Sequence, residues 1–484
     1  MSTYQPTVSA TDLPAKRRPL KATASPAART ASQFGFGTLL LGIVAIFGMT
    51  MAVFRFLFGL GATTNLSDQF PWGLWIGIDV LTGVAIAGGA FTLAGIVHIF
   101  HIRRYEPLLR PAILTAMLGY MAVIIALLMD LGRPYYIWHP LIMWQPRSML
   151  FEVAWCVMLY TTVLTLEFSP TFFERLGWGR VLRLLRMTLV PLVIVGIILS
   201  TLHQSSLGGL YLIASTKLDP LWYSPWIPVF FWTSAVGGGL AMVMVEASLS
   251  SRAFRRGLEL DLLGGLAKIT AVILTLYFAF KAWDVWHRGA LDLLYSWRFQ
   301  NGFFLAEMLL GVALPALLLA LPQVRRHPTA LMGAAILAVS GLVFNRVNVA
   351  IVGMWEAAGR SYIPSLVEFA VTAGIVALAI LAFKVIATYL PVFEAEKESG
   401  AGHRPARVPR RAPASAPAPT PVQTPAPTPA GGGGGAWARL PAAPAKGRRA
   451  APVKRRRTPV LHRARWRFLG SLRRRPRLKE VDSR

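Results

Sequence analysis

The stretch Asp-Leu-Gly-Arg-Pro-Tyr-Tyr-Ile-Trp-His-Pro (130–140) separates two long apolar runs and decides the fold. The run before it ends in Asp130, and the run after it begins Met-Leu-Phe-Glu-Val-Ala-Trp-Cys (149–156). Charged side chains are costly inside hydrocarbon, so carboxylates at the ends of such runs need partners or a function. We therefore expect two apolar helices, joined by a polar and aromatic connection that carries chemistry.

Apolar runs of about 20 residues recur along the chain, and each is long enough to cross a bilayer as an α-helix. Hydrophobic residues make up 54% of the sequence and charged residues 15%, which argues against an ordinary soluble protein. Pro191 and Gly196 interrupt the fifth run. We predict an all-α, polytopic transmembrane bundle of about ten helices, at roughly 35–60, 73–100, 109–130, 149–168, 186–204, 226–249, 263–283, 301–321, 329–353 and 364–391.

Arginine and lysine are distributed unequally between the two sets of connections. The richer set holds Arg103, Arg104, Arg110, Arg175, Arg180, Arg183, Arg186, Arg252, Arg255, Arg256, Arg325 and Arg326. Both termini join this set, and positively charged connections usually face the cytoplasm. We predict cytoplasmic N- and C-termini, and we call the arginine-poor side of the bundle the outer side.

The two ends of the chain differ in composition from the apolar middle. Residues 1–33 form a polar arm, and residues 394–484 are rich in Pro, Ala, Gly and Arg without apolar periodicity. Such segments bury too little surface to offset the entropy lost on ordering, so we predict a disordered arm and a disordered basic tail. The transmembrane domain is assigned to residues 34–393. The tail is expected to contact anionic membrane lipids rather than a specific nucleic acid.

Polar side chains concentrate in the outer halves of the predicted spans. They are Asp79, Asp130, Glu152, Glu307, Asn345, Arg346, Asn348 and Glu368. A structural interpretation is ion pairing that holds the helices together, with Arg346 bound to Asp79 or Glu152. A functional interpretation is a polar recess that opens outward and holds a quinone ring.

A quinone ring needs hydrogen-bond donors for its carbonyls and a titratable route for its protons. The candidate ring-binding residues are Asp130, Arg133, His203, Arg346 and either Tyr135 or Tyr136.

Buried carboxylates also indicate a proton path, for which the candidates are Asp79, Glu152, Glu246 and Glu368. Glu152 lies on the outer side and Glu246 on the inner side, so the pair could relay protons across the membrane. The alternative for Glu246 is a helix-end carboxylate that pairs with Arg252 or Lys268.

The cysteine and histidine residues limit the cofactors of this chain. Cys156 is the only cysteine, whereas iron–sulfur clusters need several thiolates, and no Cys-x-x-Cys-His haem motif occurs. His98 and His101 fall near the cytoplasmic end of the second span, and His139, His203 and His287 fall near outer ends or in connections. No pair sits in mid-span to bind a haem. We predict no haem, no iron–sulfur cluster and no metal site on this chain.

Several short motifs occur in a recognisable order. They are Gly59-Leu-Gly-Ala, Asn65-Leu-Ser-Asp68, Pro71-Trp-Gly-Leu-Trp75, Arg110-Pro-Ala-Ile-Leu-Thr, Asp130-Leu-Gly-Arg133, Met149-Leu-Phe-Glu152-Val-Ala, Glu167-Phe-Ser-Pro-Thr-Phe, His203-Gln-Ser-Ser-Leu-Gly208, Asn345-Arg346-Val-Asn348 and Ser361-Tyr-Ile-Pro-Ser-Leu-Val-Glu368. In these motifs the chain resembles the NrfD/PsrC family of integral membrane subunits. Within that family it is most similar to the cytochrome b subunits of hydrogenase 2-type [NiFe]-hydrogenases. The resemblance covers about residues 35–393.

The resemblance implies a haem-free subunit of a respiratory complex in the bacterial inner (plasma) membrane. Such a subunit passes electrons between menaquinone or ubiquinone and a ferredoxin-like iron–sulfur partner on the outer face. Catalytic hydrogenase subunits lie beyond that partner, and proton translocation is an option. Glu152 and Glu246 match acidic positions that the family suggests for proton transfer.

Three alternatives stay open from the sequence. Related anchors serve molybdopterin enzymes of the polysulfide or tetrathionate reductase type. A solute or ion transporter could also bury charges, although transporters tend to show repeats and helices broken at the midplane. A passive anchor would need none of the outer charges.

Overall fold

The computed structural model describes residues 35–296, 298–359 and 362–393, and this part of the chain is built of helices. No β-strand occurs within these ranges, where a single isolated bridge joins Ser67 and Phe70. The predicted arm (1–33) and the predicted basic tail (394–484) lie outside the described residues.

Ten helices in the described ranges are long and apolar enough to cross a membrane, which confirms the predicted all-α architecture. They are α1 Phe36–Phe58, α2 Trp75–Ile99, α3 Arg103–Asp130, α4 Met149–Leu176, α5 Gly179–Ile213, α6 Ile227–Ala253, α7 Leu260–His287, α8 Phe299–Ala320, α9 Pro328–Ala358 and α10 Leu366–Tyr389. The orientation relative to the cytoplasm stays a prediction.

Helix α4 ends at Leu176, further toward the arginine-rich side than its apolar run predicts, and α5 (Gly179–Ile213) is longer than its apolar run at both ends. Pro191 lies inside α5 without ending it, because a proline removes only one backbone donor and neighbouring groups can compensate within a bundle. Gly177 ends α4 with a φ of 74°, a left-handed conformation that favours glycine and turns the chain sharply into α5.

The helices approach each other most closely where glycines face glycines. A methyl group on Gly89 of α2 would overlap the backbone of Gly239 in α6, so the two backbones touch. In lipid, helices associate through such close packing rather than through a hydrophobic driving force. Two further crossings of this kind join Gly48 to Gly374 and Gly311 to Gly341. The most apolar stretch of α2 is 83% buried, whereas the most apolar stretch of α5 is only 11% buried. Helix α2 is therefore central in the bundle and α5 is peripheral.

Two π-helical segments bring carboxylates into the bundle. Trp75–Val80 of α2 contains Asp79, and Glu307–Ala313 of α8 begins with Glu307. A π-helical turn inserts an extra residue, which changes the direction of the following side chains, and such turns are frequent at functional sites. Both carboxylates are buried, with Asp79 7% and Glu307 0% exposed.

The connections on the outer side contact one another directly. Asn65 Nδ2 donates to the Ile363 carbonyl at 2.8 Å, and Asp219 N donates to the Gly353 carbonyl at 2.7 Å. These contacts place the α1–α2, α5–α6 and α9–α10 connections and the outer end of α9 on one face of the bundle.

Candidate functional site

Three carboxylates lie near the outer ends of α2, α3 and α10, one on each helix. We call Asp79, Asp130 and Glu368 the outer carboxylate cluster. Asp79 lies in the first turns of α2, Asp130 ends α3 and Glu368 lies in the first turn of α10. The structure therefore brings together three residues that the sequence singled out.

Glu368 is held by a network of donors. Its Oε2 atom accepts from the backbone N–H groups of Ser365 at 2.8 Å and Asn65 at 3.2 Å, and its Oε1 atom accepts from the Tyr362 hydroxyl. The Ser365 hydroxyl in turn accepts from Glu368 N, which completes a capping box at the start of α10. Burial, together with the hydrogen bond to Glu368, raises the pKa of Tyr362 well above its usual range, so the phenol stays a donor.

Asp79 joins α2 to α10 one turn deeper in the bundle. The Thr372 hydroxyl donates to Asp79 Oδ2 at 2.6 Å, and Trp75 Nε1 donates to the Glu368 carbonyl at 3.3 Å. Asp79 and Trp75 are one turn apart, as are Thr372 and Glu368, so the two contacts form successive links between the helices.

Asp130 differs from Glu368, whose two oxygens both accept hydrogen bonds, because one of its own oxygens lacks a partner among the described residues. Its Oδ1 atom is buried and accepts no hydrogen bond from the described residues. The buried Arg55 guanidinium of α1 interacts electrostatically with Asp130, as does Glu368. Arg55 itself donates to the carbonyls of Met129 at 2.6 Å and Leu131 at 2.5 Å. A carboxyl group with a free oxygen beside a fixed cation can hydrogen-bond a small polar group, and it can give up a proton to that group when protonated or take one when ionised.

A second polar group lies between α3, α4 and α5 around His203. His203 Nδ1 and the Tyr120 hydroxyl are 2.8 Å apart, and the rings of Tyr120 and Tyr160 are 4.7 Å apart. We call Tyr120, Tyr160, Ser200, His203 and Gln204 the histidine group. The Tyr160 and Ser200 side chains interact with each other. Buried atoms without a protein partner among the described residues include His203 Nε2 and both polar atoms of the Gln204 side chain. Buried polar atoms normally have partners, so these atoms are available for further hydrogen bonds.

Carboxylates flank the histidine group on both sides. On the outer side, the Ser206 hydroxyl donates to Glu152 Oε1 at 2.5 Å. On the inner side, the half-buried Glu167 of α4 interacts electrostatically with Tyr160. Glu152 and Glu167 are fifteen residues apart on α4, which is ~22 Å along a helix.

Arg346 belongs to a third group, formed by α6, α8 and α9. Its Nη1 atom donates to Asn345 Oδ1 at 2.6 Å, and its Nη2 atom donates to the Phe231 carbonyl at 2.9 Å and to Ser234 Oγ at 3.0 Å. The guanidinium lies 3.8 Å from the centre of the Phe231 ring. The interpretation that paired Arg346 with Asp79 or Glu152 is therefore wrong. The sequence indicates depth in the membrane, but it does not show which neighbour a buried side chain faces.

Glu307 anchors the same third group. Its carboxylate accepts from Trp222 Nε1 and Asn348 Nδ2 at 2.8 Å each and from Asn345 Nδ2 at 2.7 Å. These donors come from α9 and from the outer connection between α5 and α6, so Glu307 ties three parts of the chain together. This satisfied arrangement has the character of a structural support.

The remaining predicted residues lie outside these groups. Arg133 and Tyr135 are exposed in the connection after α3. Glu246 is buried in the inner half of α6, where the Ser250 side chain lies beside its carboxylate. Arg256 interacts with it electrostatically. Arg252 and Lys268, the two partners that the sequence offered, are both exposed.

The structure does not place Asp130, His203 and Arg346 around one ring. Tyr120, which binds His203, precedes Asp130 by ten residues on α3, or ~15 Å along the helix axis. Two surface cavities of about 330 and 480 Å³ lie elsewhere, the first at the start of α5 and the second beside Tyr295 and Phe299.

Comparison with known proteins shows the family. Residues 62–357 match the family model described as polysulphide reductase, NrfD. This chain belongs to the NrfD family. A Nitratidesulfovibrio vulgaris protein is 40% identical over 371 residues, covering 74% of this chain and 94% of that protein. The probable Ni/Fe-hydrogenase 2 b-type cytochrome subunit of Escherichia coli K12 is 32% identical over 370 residues, which make up 75% of this chain and 93% of that protein. The integral membrane subunit of a menaquinone reductase from N. vulgaris is 29% identical over 372 residues, which make up 70% of this chain and 87% of that protein.

The outer carboxylate cluster of this NrfD-family protein extends beyond the matched range. Asp79, Asp130, His203 and Arg346 fall within residues 62–357, whereas Arg55 of α1 and the residues Tyr362 and Glu368 fall outside it. Helix α1 thus supplies Arg55, the cation beside the cluster, and α10 supplies Glu368, while Tyr362 lies in the connection before α10.

Sequence reasoning missed several functional candidates. Arg55, Tyr120, Glu167 and Lys281 all lie within predicted spans, and Lys281 is buried with its Nζ atom 3.4 Å from the Trp222 carbonyl. The signal that could have found Arg55 was simple, because it is the only charged residue inside the first span.

Proposed function

We propose that this protein is the quinone-reactive membrane subunit of a respiratory oxidoreductase complex in a bacterial plasma membrane. It passes electrons between an iron–sulfur partner on the outer face and menaquinone or ubiquinone in the bilayer. The partner serves the catalytic subunits of a [NiFe]-hydrogenase. Membership in the NrfD family and similarity to the Ni/Fe-hydrogenase 2 and menaquinone reductase subunits support this proposal.

The unpartnered, buried oxygen of Asp130 is the observation that carries the proposal. Reduction of a quinone to a quinol adds two electrons from the partner and two protons to the ring oxygens. The Asp130 carboxyl can hydrogen-bond one ring oxygen and exchange its proton, while Arg55 stabilises the ionised carboxylate. The exposed Arg133 and Tyr135 follow Asp130 and lie on the side from which a quinone would arrive.

Protons reach or leave the ring through the other buried carboxylates in this proposal. Glu368 interacts electrostatically with Asp130 and can buffer its proton, and Asp79 is linked to the same helix as Glu368 through Thr372. The histidine group provides a second route, from Glu152 through Ser206 and His203 to Tyr120, and onward by Tyr160 to Glu167. We assign His203 to this route rather than to the ring because of its separation from Asp130. Glu246 is the candidate on the inner side of α6, and Arg346 supports the fold.

The test replaces Asp130 by Asn in the assembled complex. We expect quinone-linked turnover to fall by at least about tenfold, since a positioned proton donor typically contributes ~10²–10⁴-fold. Electron transfer from the iron–sulfur partner to an artificial dye, which bypasses the quinone, should be unchanged. Asp292→Asn is the matched control, because Asp292 is exposed on the outer side. Full quinone-linked turnover in an assembled D130N complex would contradict the proposal and favour a passive anchor.

The catalytic partner has a second candidate. A selenate reductase subunit of Mesobacillus selenatarsenatis is 26% identical to this chain and covers 75% of it. An anchor for a molybdopterin enzyme is therefore the alternative. Purification of the native complex, with its nickel and molybdenum contents measured, separates the two, since nickel supports the hydrogenase and molybdenum the alternative.

A further inference from the structure

The connection between α3 and α4 exposes an apolar and aromatic surface that none of the three polar groups uses. We call Pro134–Trp144 the outer aromatic segment. Tyr135 is 65%, Ile142 70%, Met143 62% and Trp144 63% exposed. We propose that this segment is embedded in the outer lipid interface beside α4, where it contacts phospholipid headgroups and the upper part of their acyl chains.

The depth of the segment follows from its contacts with α4. Trp155 Nε1 donates to the Pro140 carbonyl at 2.9 Å, and the rings of Trp144 and Trp155 are 4.9 Å apart. Trp155 lies six residues into α4, which is ~9 Å from the start of the helix. The segment therefore folds down along the side of α4 instead of projecting away from the membrane.

The backbone of the segment satisfies its polar groups locally, as an environment poor in water requires. Pro134–Tyr136 forms a 3₁₀ turn and His139–Ile142 a short helix. Tyr136 N donates to the Arg133 carbonyl at 3.0 Å, and Met143 N donates to the His139 carbonyl at 2.8 Å. The bonds from Arg55 to the carbonyls of Met129 and Leu131 fix the start of the connection.

Composition favours lipid over water or a protein partner. The connection 131–148 contains no carboxylate, and Arg133 and Arg147 flank its aromatic residues. Tryptophan and tyrosine concentrate at membrane interfaces, and arginine at such positions reaches lipid phosphates. The surface is also continuous with the lipid-facing side of α4, where Leu150 is 61% exposed. An apolar patch of this kind facing water would be costly.

The experiment measures the surroundings of a spin label on the segment. Cys156 is the only cysteine and is buried, so a Cys156→Ser background allows one label per variant. The labelled variant is Ile142→Cys, with Met143→Cys as a replacement if the first does not assemble. Ile198→Cys on the lipid-facing side of α5 is the lipid control, and Lys217→Cys in an exposed outer connection is the water control. Collisions with oxygen and with a water-soluble nickel chelate are measured on the whole complex in phospholipid vesicles.

We expect the oxygen-to-nickel collision ratio at position 142 to exceed that at position 217 several-fold and to fall below that at position 198. A ratio equal to that at position 217 would show a water-exposed loop and overturn the proposal. Low collision rates with both reagents would show cover by a protein partner and would also overturn it. Neither result depends on quinone activity, so this test is independent of the proposed electron transfer.

Discussion

Glu307 and Asp130 are both carboxylates beneath the outer face, but their surroundings differ at the level of single atoms. Glu307 accepts three hydrogen bonds from neutral donors, whereas Asp130 keeps one buried oxygen without a partner in the described ranges. A fully bonded carboxylate supports the fold, and an incompletely bonded one is available to a ligand. The two residues should therefore respond differently to substitution.

Replacing Glu307 by Ala should impair the fold more than the chemistry. The substitution leaves the donors of Trp222, Asn345 and Asn348 buried without their acceptor, at a cost of about 3 kcal/mol or more. We expect a lower unfolding temperature and less assembled complex, both measured in detergent. Glu356→Ala is the control, because its carboxylate is 64% exposed and pairs with Arg298 at the surface. Equal stability of the two variants would contradict the supporting role.

Replacing Tyr120 by Phe should slow proton transfer while preserving packing. The change removes the hydroxyl that lies 2.8 Å from His203 Nδ1 and keeps the ring against Tyr160. We expect quinone-linked turnover to fall about tenfold or more, with a larger solvent isotope effect and unchanged dye-linked turnover. Tyr295→Phe is the control, since Tyr295 is 83% exposed. Unchanged turnover and isotope effect in Tyr120→Phe would exclude the histidine group from the proton route.

The sequence predicted the position of each polar residue along its span, but it did not predict which side chains would pair with one another. Asp79, Asp130 and Glu368 were expected at one level, and their hydrogen bonds and charges connect them. The partners of Arg346 could not be predicted from the sequence. A buried helix is apolar on every side, so its hydrophobic pattern does not show which side faces which neighbour.

At the scale of helices, apolar length predicted all ten spans, and the ends of α4 and α5 account for the main differences. Their extensions carry Arg175, Arg180 and Arg183, which lower the hydropathy without ending the helix. The π-helical segments at Asp79 and Glu307 have no signature in apolar periodicity. Glycine contacts likewise depend on which helices become neighbours, a property of the whole bundle.

The crossing of α2 and α6 should tolerate no large side chain. Gly239→Leu would force the helices apart at Gly89, and overpacking of this kind typically costs ~1–3 kcal/mol. We expect a lower unfolding temperature and reduced assembly. Gly333→Leu is the matched control, because a side chain there meets no atom within 4 Å among the described residues. A G239L complex as stable as G333L would show that the crossing is loose.

At the scale of the whole molecule, the three polar groups occupy different sets of helices. The outer carboxylate cluster joins α1, α2, α3 and α10, the histidine group lies in α3, α4 and α5, and the third group lies among α6, α8 and α9. Helix α3 is shared by the first two groups, so it connects the proposed ring site with the proposed proton route. In this proposal, ring chemistry, proton movement and structural support are assigned to separate parts of one bundle.

The glycine contact between α2 and α6 also affects how the two helices can move relative to each other. Asp79 lies ten residues to the outer side of Gly89, and Glu246 lies seven residues to the inner side of Gly239. Since no side chain separates the two backbones there, the contact can act as a pivot for a tilt of one helix against the other. If one helix tilts about this contact, its outer and inner ends move in opposite directions. A displacement at one membrane surface is then accompanied by a displacement at the other.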